Sequence, residues 1–160
     1  MKKKHLLNSL ALLITSLFFL DSSLAESSYK SHASFKTDFQ SQEWNGAKIT
    51  VGSIKGLSKI YGSSSSIMPN GEYIQNCLMR VVKKSDGTEI VTNCNTIDKD
   101  GDIFYAISER KHGDINSGGK GKTTFVGGTG KFQGANGSCE YSARYLPENW
   151  LSVDSECTLK

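Results

Sequence analysis

The sequence offers few of the groups from which metal sites and hydrolytic active sites are built. It has three histidines, and none of its four cysteines forms a Cys-x-x-Cys pair. Structural zinc sites use closely spaced Cys and His ligands, so this spacing disfavours a metal site. His32 and His112 stand alone, and no nucleophile is matched with a base. The sequence therefore predicts no metal, no cofactor and no catalytic residue.

Residues 1–25 have the layout of a secretory signal peptide. Three lysines follow the first residue, an apolar run covers residues 6–20, and Ser23 and Ala25 stand at the −3 and −1 positions of a cleavage site. The apolar run is shorter than the ~20 residues of a membrane-spanning helix, so we expect no membrane span after cleavage. Cleavage after Ala25 would leave residues 26–160, the size of one domain, in the periplasm or outside the cell.

Strong positive charge is also missing from the predicted exported part. Loss of the signal peptide removes three lysines and Asp21, which lowers the formal net charge from +3 to +1. A protein that binds phosphate backbones carries a basic patch, whereas this chain has only the pair Lys120 and Lys122. The sequence therefore predicts no nucleic-acid partner, and it gives no indication of an oligomeric state.

The exported part lacks helical periodicity, apart from a short turn within residues 131–135, and instead shows alternating apolar residues and frequent turn signals. Asn-Gly, Asp-Gly and Pro-Glu-Asn sequences mark hairpins. We predict a frayed segment at 26–31, a flexible loop at 52–66 and a polar loop at 112–119. The predicted strands are residues 33–40, 49–51, 72–83, 88–97, 103–107, 120–126, 137–146 and 150–159. Eight short strands indicate an all-β barrel or sandwich.

An even number of cysteines in an exported chain indicates disulfides. Residues that face each other in an antiparallel hairpin have a constant index sum. The midpoint in sequence between Cys77 and Cys94 falls in the turn at residues 85–87. The midpoint between Cys139 and Cys157 falls in the Pro-Glu-Asn turn. The two hairpins therefore predict the bridges Cys77–Cys94 and Cys139–Cys157.

Two motifs carry most of the remaining information. The first is a glycine-rich segment in which Phe132 is surrounded by Gly127, Gly128, Gly130, Gly134 and Gly137. Glycine reaches positive φ without steric cost, so we predict a tight corner in which Phe132 turns inward as an aromatic plug. A phosphate-binding loop would need Ser or Thr after the lysine and a following helix, and neither is present.

The second motif is the acidic run Asp98-Lys99-Asp100-Gly101-Asp102. Its three aspartates match positions 1, 3 and 5 of an EF-hand loop, and Glu109 matches position 12, but Ile103 occupies the position that requires glycine. We therefore predict a β-turn in which an aspartate caps its own backbone. A weak surface calcium site is the alternative.

Both motifs resemble those of the allene oxide cyclase-like barrels, a superfamily that includes plant dirigent proteins and many small secreted bacterial proteins. The corner resembles Gly-Gly-Thr-Gly-Lys-Phe-x-Gly-Ala-x-Gly, and residues 94–103 resemble the Cys-x-x-x-Asp-x-Asp-Gly-Asp segment of the bacterial members. The resemblance covers about residues 72–145 and implies an eight-stranded antiparallel barrel of lipocalin-like architecture. Plant members place polar catalytic or substrate-guiding residues inside the barrel, and no motif here matches them.

These features favour a non-enzymatic binding or interaction protein. The first hypothesis is a small, mostly apolar ligand inside the barrel. The candidate ligand-binding residues are Phe35, Phe39, Tyr73, Met79, Phe104, Tyr105, Tyr141 and Tyr145. A filled core in a structural or partner-binding protein is the simpler explanation of the same aromatic residues. The alternative is a cyclase or isomerase that uses paired carboxylates in the cavity. The candidate carboxylates are Glu72, Glu89, Glu109, Glu140 and Asp154.

Overall fold

The computed structural model describes residues 26–111 and 118–160. The predicted signal peptide and most of the predicted polar loop, residues 112–117, lie outside these ranges. Eight strands form one closed antiparallel barrel in sequence order, and β8 pairs with β1. The strands are β1 (Ser27–Trp44), β2 (Ala47–Tyr61), β3 (Gly71–Lys84), β4 (Gly87–Ile97), β5 (Ile103–Arg110), β6 (Gly119–Gly128), β7 (Asn136–Leu146) and β8 (Trp150–Leu159). The predicted eight-stranded barrel is confirmed, and the sandwich is excluded.

The alternation of side chains explains why these segments form strands. In β1, buried and exposed residues alternate from Tyr29 to Thr37, as expected when successive side chains point to opposite faces of a sheet. The inward positions of all eight strands form the core. Closure of the sheet pairs the edges that an open sheet would expose.

The predicted frayed segment at residues 26–31 is wrong, because β1 begins at Ser27. Ser27 faces Leu159 in the β1–β8 register, and the pairing continues to Lys36, which faces Trp150. Pairing with the last strand orders a polar segment whose own sequence carries little strand signal.

The predicted loop at residues 52–66 is also wrong over most of its length, since β2 continues to Tyr61. Gly52 and Gly56 occupy positions where the β1 backbone comes very close. A Cβ atom at either glycine would overlap with a β1 backbone oxygen, that of Asp38 or Ser34 respectively. These glycines therefore allow close strand contact, although in the sequence they look like signals of a flexible loop.

The barrel has two different ends. We call the end with the β1–β2, β3–β4, β5–β6 and β7–β8 connections the hairpin end, and the opposite end the corner end. At the corner end, Phe132 is 0% exposed and Met68 1% exposed. The ring centroid of Phe104 lies 5.2 Å from that of Phe132 and 4.5 Å from that of Phe125. The predicted aromatic plug is confirmed, and it closes the corner end.

Helical structure in the described residues is confined to one short turn. The predicted turn within residues 131–135 is a single 3₁₀ turn, Gly130–Phe132. Within residues 26–111 and 118–160, no helix has the length and apolar character needed to cross a membrane.

Both predicted disulfides are present. Cys77 faces Cys94 across β3 and β4, and Cys139 faces Cys157 across β7 and β8, with Cα–Cα distances of 4.1 Å and 4.0 Å. Such short distances are typical of directly opposed antiparallel residues that are not joined by ladder hydrogen bonds. Each bridge therefore links the two strands of one hairpin on the inner face of the barrel.

Candidate functional site

The interior of the barrel contains a cavity of about 120 Å³, measured as the space open to the centre of a water molecule. A single water needs about 10–15 Å³, so the space is large enough for several waters. Residues from all eight strands line the cavity. The aromatic side chains therefore leave room for a small molecule instead of filling the barrel.

The lining combines a mostly apolar surface with a smaller share of polar side chains, most of them Ser and Thr. Phe35, Ile54 and Leu151 represent the apolar part, and all four disulfide cysteines contribute to the wall. Ser108 and Thr123 are polar, and their hydroxyl oxygens lie 2.7 Å apart. A concave, largely apolar surface with a few placed polar groups is the usual character of a small-molecule site.

The structure brings five of the eight candidate ligand-binding residues to the cavity. These five are Phe35, Met79, Phe104, Tyr141 and Tyr145. They lie on four strands, β1, β3, β5 and β7, at positions whose side chains point to the inner face of the sheet.

The other three candidates do not line the cavity. Phe39 packs against the core from a partly buried position on β1. Tyr73 is buried, and its hydroxyl donates a hydrogen bond to the carbonyl oxygen of Pro69 at 2.8 Å. Tyr105 alternates with the buried residues Phe104 and Ala106, so it lies on the outer face of β5 and its predicted inward position is wrong.

Arg110 lines the cavity at the hairpin end and was missed in the sequence. It is 5% exposed and is the last residue of β5. The inward residues of this strand are Phe104, Ala106, Ser108 and Arg110, so the same alternation could have identified it. Within the described part of the chain, Arg110 is the single charged residue of the lining.

Two glycines of β6 make space for the polar side chains at this end. A Cβ atom on Gly119 would lie 3.0 Å from a terminal nitrogen of Arg110. A Cβ atom on Gly121 would overlap with the phenol of Tyr141, its register partner on β7. The guanidinium of Arg110 and the phenol of Tyr141 therefore lie directly against the β6 backbone. A side chain at Gly119 or Gly121 would require them to move.

The tyrosines near Arg110 have altered acidity. Burial raises the pKa of the Tyr141 hydroxyl and that of the Tyr145 hydroxyl, and the positive charge of Arg110 opposes both shifts. Both phenols therefore stay protonated near neutral pH and can donate hydrogen bonds. Arg110, Tyr141 and Tyr145 together form a donor-rich region at the hairpin end of the cavity.

The carboxylates considered for acid–base chemistry do not reach the cavity. Glu72, Glu89, Glu109 and Glu140 are exposed, and Asp154 lies on the outside, where its carboxylate is 2.7 Å from His32 Nδ1. The described lining contains neither a carboxylate nor a histidine. Among the described lining residues, the tyrosines are the side chains that could take part in acid–base chemistry.

The acidic motif forms the predicted capped turn. The Oδ1 of Asp98 accepts hydrogen bonds from the backbone N–H groups of Asp100 and Asp102, both at 2.9 Å. Across residues 26–111 and 118–160, no group of three or more His, Cys, Asp or Glu side chains could hold a metal ion. The buried carboxylate of Asp98 instead forms an ion pair with Lys131.

The two motifs identified in the sequence are therefore in contact. Thr129 and Ile103 exchange two hydrogen bonds: the N–H of Thr129 donates to the Ile103 carbonyl, and the N–H of Ile103 donates to Thr129 Oγ1, each at 2.8 Å. The carboxylate of Asp102 accepts a hydrogen bond from the N–H of Lys131 at 3.2 Å. In this fold the two motifs together close the corner end of the barrel, next to the cavity.

Comparison with known proteins adds no family assignment. A scan of the chain against protein-family models finds no match, and a search of curated proteins finds no matching sequence. The functional argument therefore depends on the cavity and the residues that line it.

Proposed function

We propose that this protein is an exported, non-enzymatic binding protein that holds one small, mostly apolar molecule inside its barrel. The observation that carries the proposal is a cavity of about 120 Å³ whose wall is mainly apolar, with polar side chains as the smaller part of the lining. Eight-stranded barrels have an interior wide enough either to be filled by side chains or to hold one small ligand. The space left by this lining favours the second possibility.

The closed corner end and the cross-linked wall support binding inside the barrel. Phe125 packs against Tyr29 and Phe104 near the corner end, where the plug residue Phe132 closes the barrel. The two disulfides fix two hairpins of the wall. A rigid wall loses little conformational freedom when a ligand binds, which reduces the cost of association.

Export and family membership are parts of the same proposal. The signal-peptide pattern of residues 1–25 and the two disulfides support a periplasmic or secreted location. The closed eight-stranded antiparallel barrel is the architecture that the resemblance to the allene oxide cyclase-like barrels implies, and it supports the family part of the proposal.

The proposal is tested by looking for a bound molecule and by blocking the cavity. Native mass spectrometry of the exported protein, purified from its own host, is expected to show a retained small molecule. The neutral fluorescent probe N-phenyl-1-naphthylamine is expected to bind with one-to-one stoichiometry. Absence of both a retained mass and probe binding would contradict the proposal.

A matched pair of variants locates the probe. Ser58 lines the cavity, whereas Ser34 is exposed on the outside of the neighbouring strand. Ser58→Leu is expected to weaken probe binding by about tenfold or more, because it fills the space, and Ser34→Leu is expected to leave it unchanged. Circular dichroism of both variants controls for folding. Equal probe affinity in the two variants would place the binding site outside the cavity.

A further inference from the structure

We infer that the ligand is a neutral molecule with a hydroxyl or carbonyl oxygen near the middle of an apolar skeleton, and that Gln75 and Thr96 bind this oxygen. This inference rests on the proposed function, because it specifies the chemical class of the molecule in the same cavity. Its basis is a belt of uncharged polar side chains in the cavity wall, whose hydrogen-bonding groups have no partner in the described part of the protein.

The polar belt consists of five lining side chains on β4, β3, β2, β1 and β8, which are neighbours in this order in the closed barrel: Thr96, Gln75, Ser58, Ser31 and Ser155. Thr96 faces Gln75 directly, and Ser31 faces Ser155. Ser58 is a diagonal neighbour of both Gln75 and Ser31, and such positions are about 7–8 Å apart. The belt therefore crosses five of the eight strands without interruption.

The polar groups of the belt are not paired with the protein. Ser58, Thr96 and Ser31 are 6%, 7% and 9% exposed, and across residues 26–111 and 118–160 no side chain of the belt forms a hydrogen bond. Buried polar side chains in proteins nearly always have a hydrogen-bond partner. The partners of the belt must therefore come from molecules inside the cavity. A ligand that displaces water from the belt without replacing its hydrogen bonds loses affinity.

Gln75 and Thr96 are the pair best placed to hold a ligand oxygen. Gln75 has the longest side chain of the belt, and its register partner on β2 is Gly56, so no β2 side chain lies directly beside it. The amide of Gln75 offers donors and an acceptor, and the hydroxyl of Thr96 offers both as well. These groups match a neutral hydroxyl or carbonyl oxygen. An ion at the belt would lose its hydration without gaining an opposite charge there, which is costly.

Apolar side chains flank the belt on both sides. Along β1, Ser31 lies between Tyr29 toward the corner end and Phe35 toward the hairpin end, and on β2 the belt residue lies between Ile60 and Ile54. A ligand that matches this order has its oxygen near the middle and apolar groups on either side.

The first experiment compares two isomers that differ only in the position of the hydroxyl group, 4-octanol and 1-octanol. Each displaces N-phenyl-1-naphthylamine from the wild-type mature protein at neutral pH. We expect 4-octanol to bind about fivefold more tightly, because its hydroxyl reaches the belt while its chain contacts both apolar bands. Fivefold corresponds to about 1 kcal/mol, the usual net contribution of one hydrogen bond. Equal affinities, or tighter binding of 1-octanol, would overturn the inference.

A third probe tests whether the ligand is neutral. The anion 2-propylpentanoate also has eight carbons, and its carboxylate lies at the middle of the skeleton. It is expected to bind more weakly than 4-octanol, because the belt offers it no opposite charge. If the anion binds as tightly as 4-octanol or more tightly, the cavity does not select a neutral ligand and the inference is wrong.

A matched pair of double variants locates the oxygen site. Gln75→Leu/Thr96→Val removes both polar groups with little change in volume, and it is expected to reduce the preference for 4-octanol to less than about twofold, since the hydrogen bonds are lost. The control is Gln40→Leu/Thr124→Val, because both residues are exposed, and it is expected to keep the wild-type preference. If Gln75→Leu/Thr96→Val also keeps the wild-type preference, these two residues do not bind the oxygen.

The outcomes separate this inference from the proposed function. If N-phenyl-1-naphthylamine binds in the cavity and the two octanols bind equally, the cavity holds apolar molecules without selecting a central oxygen, and only the inference fails. If no probe binds and no molecule is retained, the proposed function itself fails. If Gln75→Leu/Thr96→Val does not fold, the comparison of the isomers on the wild-type protein still decides whether the ligand carries a central oxygen.

Discussion

Lys131 of the glycine corner forms an ion pair through its Nζ with the carboxylate of Asp98 in the acidic turn. The side chain of Asp98 is 2% exposed, and its other oxygen accepts two backbone hydrogen bonds from the turn that it begins. One buried carboxylate thus shapes the β4–β5 turn and joins it to the β6–β7 corner. This contact holds the closed end of the barrel together and leads to the first two predictions.

Asp98→Ala is expected to lower the free energy of unfolding by about 1.5–3 kcal/mol, because it removes the carboxylate that accepts the turn's hydrogen bonds, and hydrogen bonds to charged groups contribute about this much. The matched control is Asp86→Ala, because Asp86 is exposed in the β3–β4 turn, and a surface change of this kind usually stays within about 0.5 kcal/mol. Urea unfolding followed by circular dichroism measures both values. A loss below 1 kcal/mol for Asp98→Ala would show that the ion pair is not a stabilising contact.

The same carboxylate predicts a pH dependence. Burial alone would raise the pKa of Asp98, but Lys131 and the N–H groups of Asp100 and Asp102 outweigh it and hold the pKa below its ordinary value. A carboxyl group with a depressed folded-state pKa stabilises the fold above its unfolded pKa, about 3.9, and this stabilisation is lost as pH falls through the folded value.

The difference in unfolding free energy between the wild type and Asp98→Asn is therefore expected to have its maximum value at pH 6 and to decrease below about pH 4. Other carboxyl groups titrate in both proteins, so the comparison isolates Asp98. Urea unfolding of both proteins from pH 6 to pH 2.5 measures the difference. A difference that stays constant over this range would mean that Asp98 has no depressed pKa.

Gly130→Ala is expected to cost more than about 1 kcal/mol of unfolding free energy. Gly130 has a φ of +49°, a conformation that costs other residues about 1–2 kcal/mol, and a Cβ atom there would overlap with the carboxylate of Asp102. Gly71→Ala is the control, because the nearest atom to its Cβ would be Tyr73 Cε2 at 3.8 Å. That substitution is expected to be neutral or stabilising by about 0.4–1 kcal/mol.

The role of Gly128 differs from that of Gly130. Gly128 does not have a positive φ. A Cβ atom there would, however, overlap with the carbonyl oxygen of Ile103 and lie 2.6 Å from the Cβ of Phe132. Thermal or urea unfolding of Gly128→Ala and Gly130→Ala, beside Gly71→Ala, tests the whole corner. If Gly128→Ala and Gly130→Ala are both as stable as the wild type, the corner is an ordinary loop.

Each disulfide is expected to stabilise the fold by about 3 kcal/mol. The bridges close loops of similar size, with sequence separations of 17 and 18, so replacing either cysteine pair by alanines is expected to have a similar effect on urea unfolding. Non-reducing peptide mapping is expected to recover the Cys77–Cys94 and Cys139–Cys157 peptides. A peptide that links Cys77 to Cys139 or Cys157 would contradict the pairing and the register of both hairpins.

The mature N-terminus is expected at Glu26. Strand β1 begins at Ser27, which faces Leu159, so cleavage after Ala25 would leave every pair of the β1–β8 ladder intact. N-terminal sequencing of the exported protein measures the site. A sequence that begins at Met1 would contradict cleavage, and one that begins within residues 28–36 would remove part of the ladder.

Local sequence determined the features that depend on neighbouring residues. The Pro-Glu-Asn turn and the Ser-Asp-Gly turn each fix the register of one hairpin, so both disulfides could be predicted by counting from the turn centres. Strand β8 was predicted with the bounds that the structure shows, Trp150–Leu159. Side-chain alternation likewise predicted the inward direction of Phe35 and Tyr141, because successive residues of a strand face opposite sides.

Tertiary structure decided what depends on distant parts of the chain. Gly52 and Gly56 look like loop residues until β1 lies against them, and the segment from Ser27 becomes a strand only because β8 returns to pair with it. The space around Arg110 likewise depends on Gly119 and on the closure of the barrel. A cavity is the volume that side chains from all eight strands leave unfilled, so no single stretch of sequence could specify it.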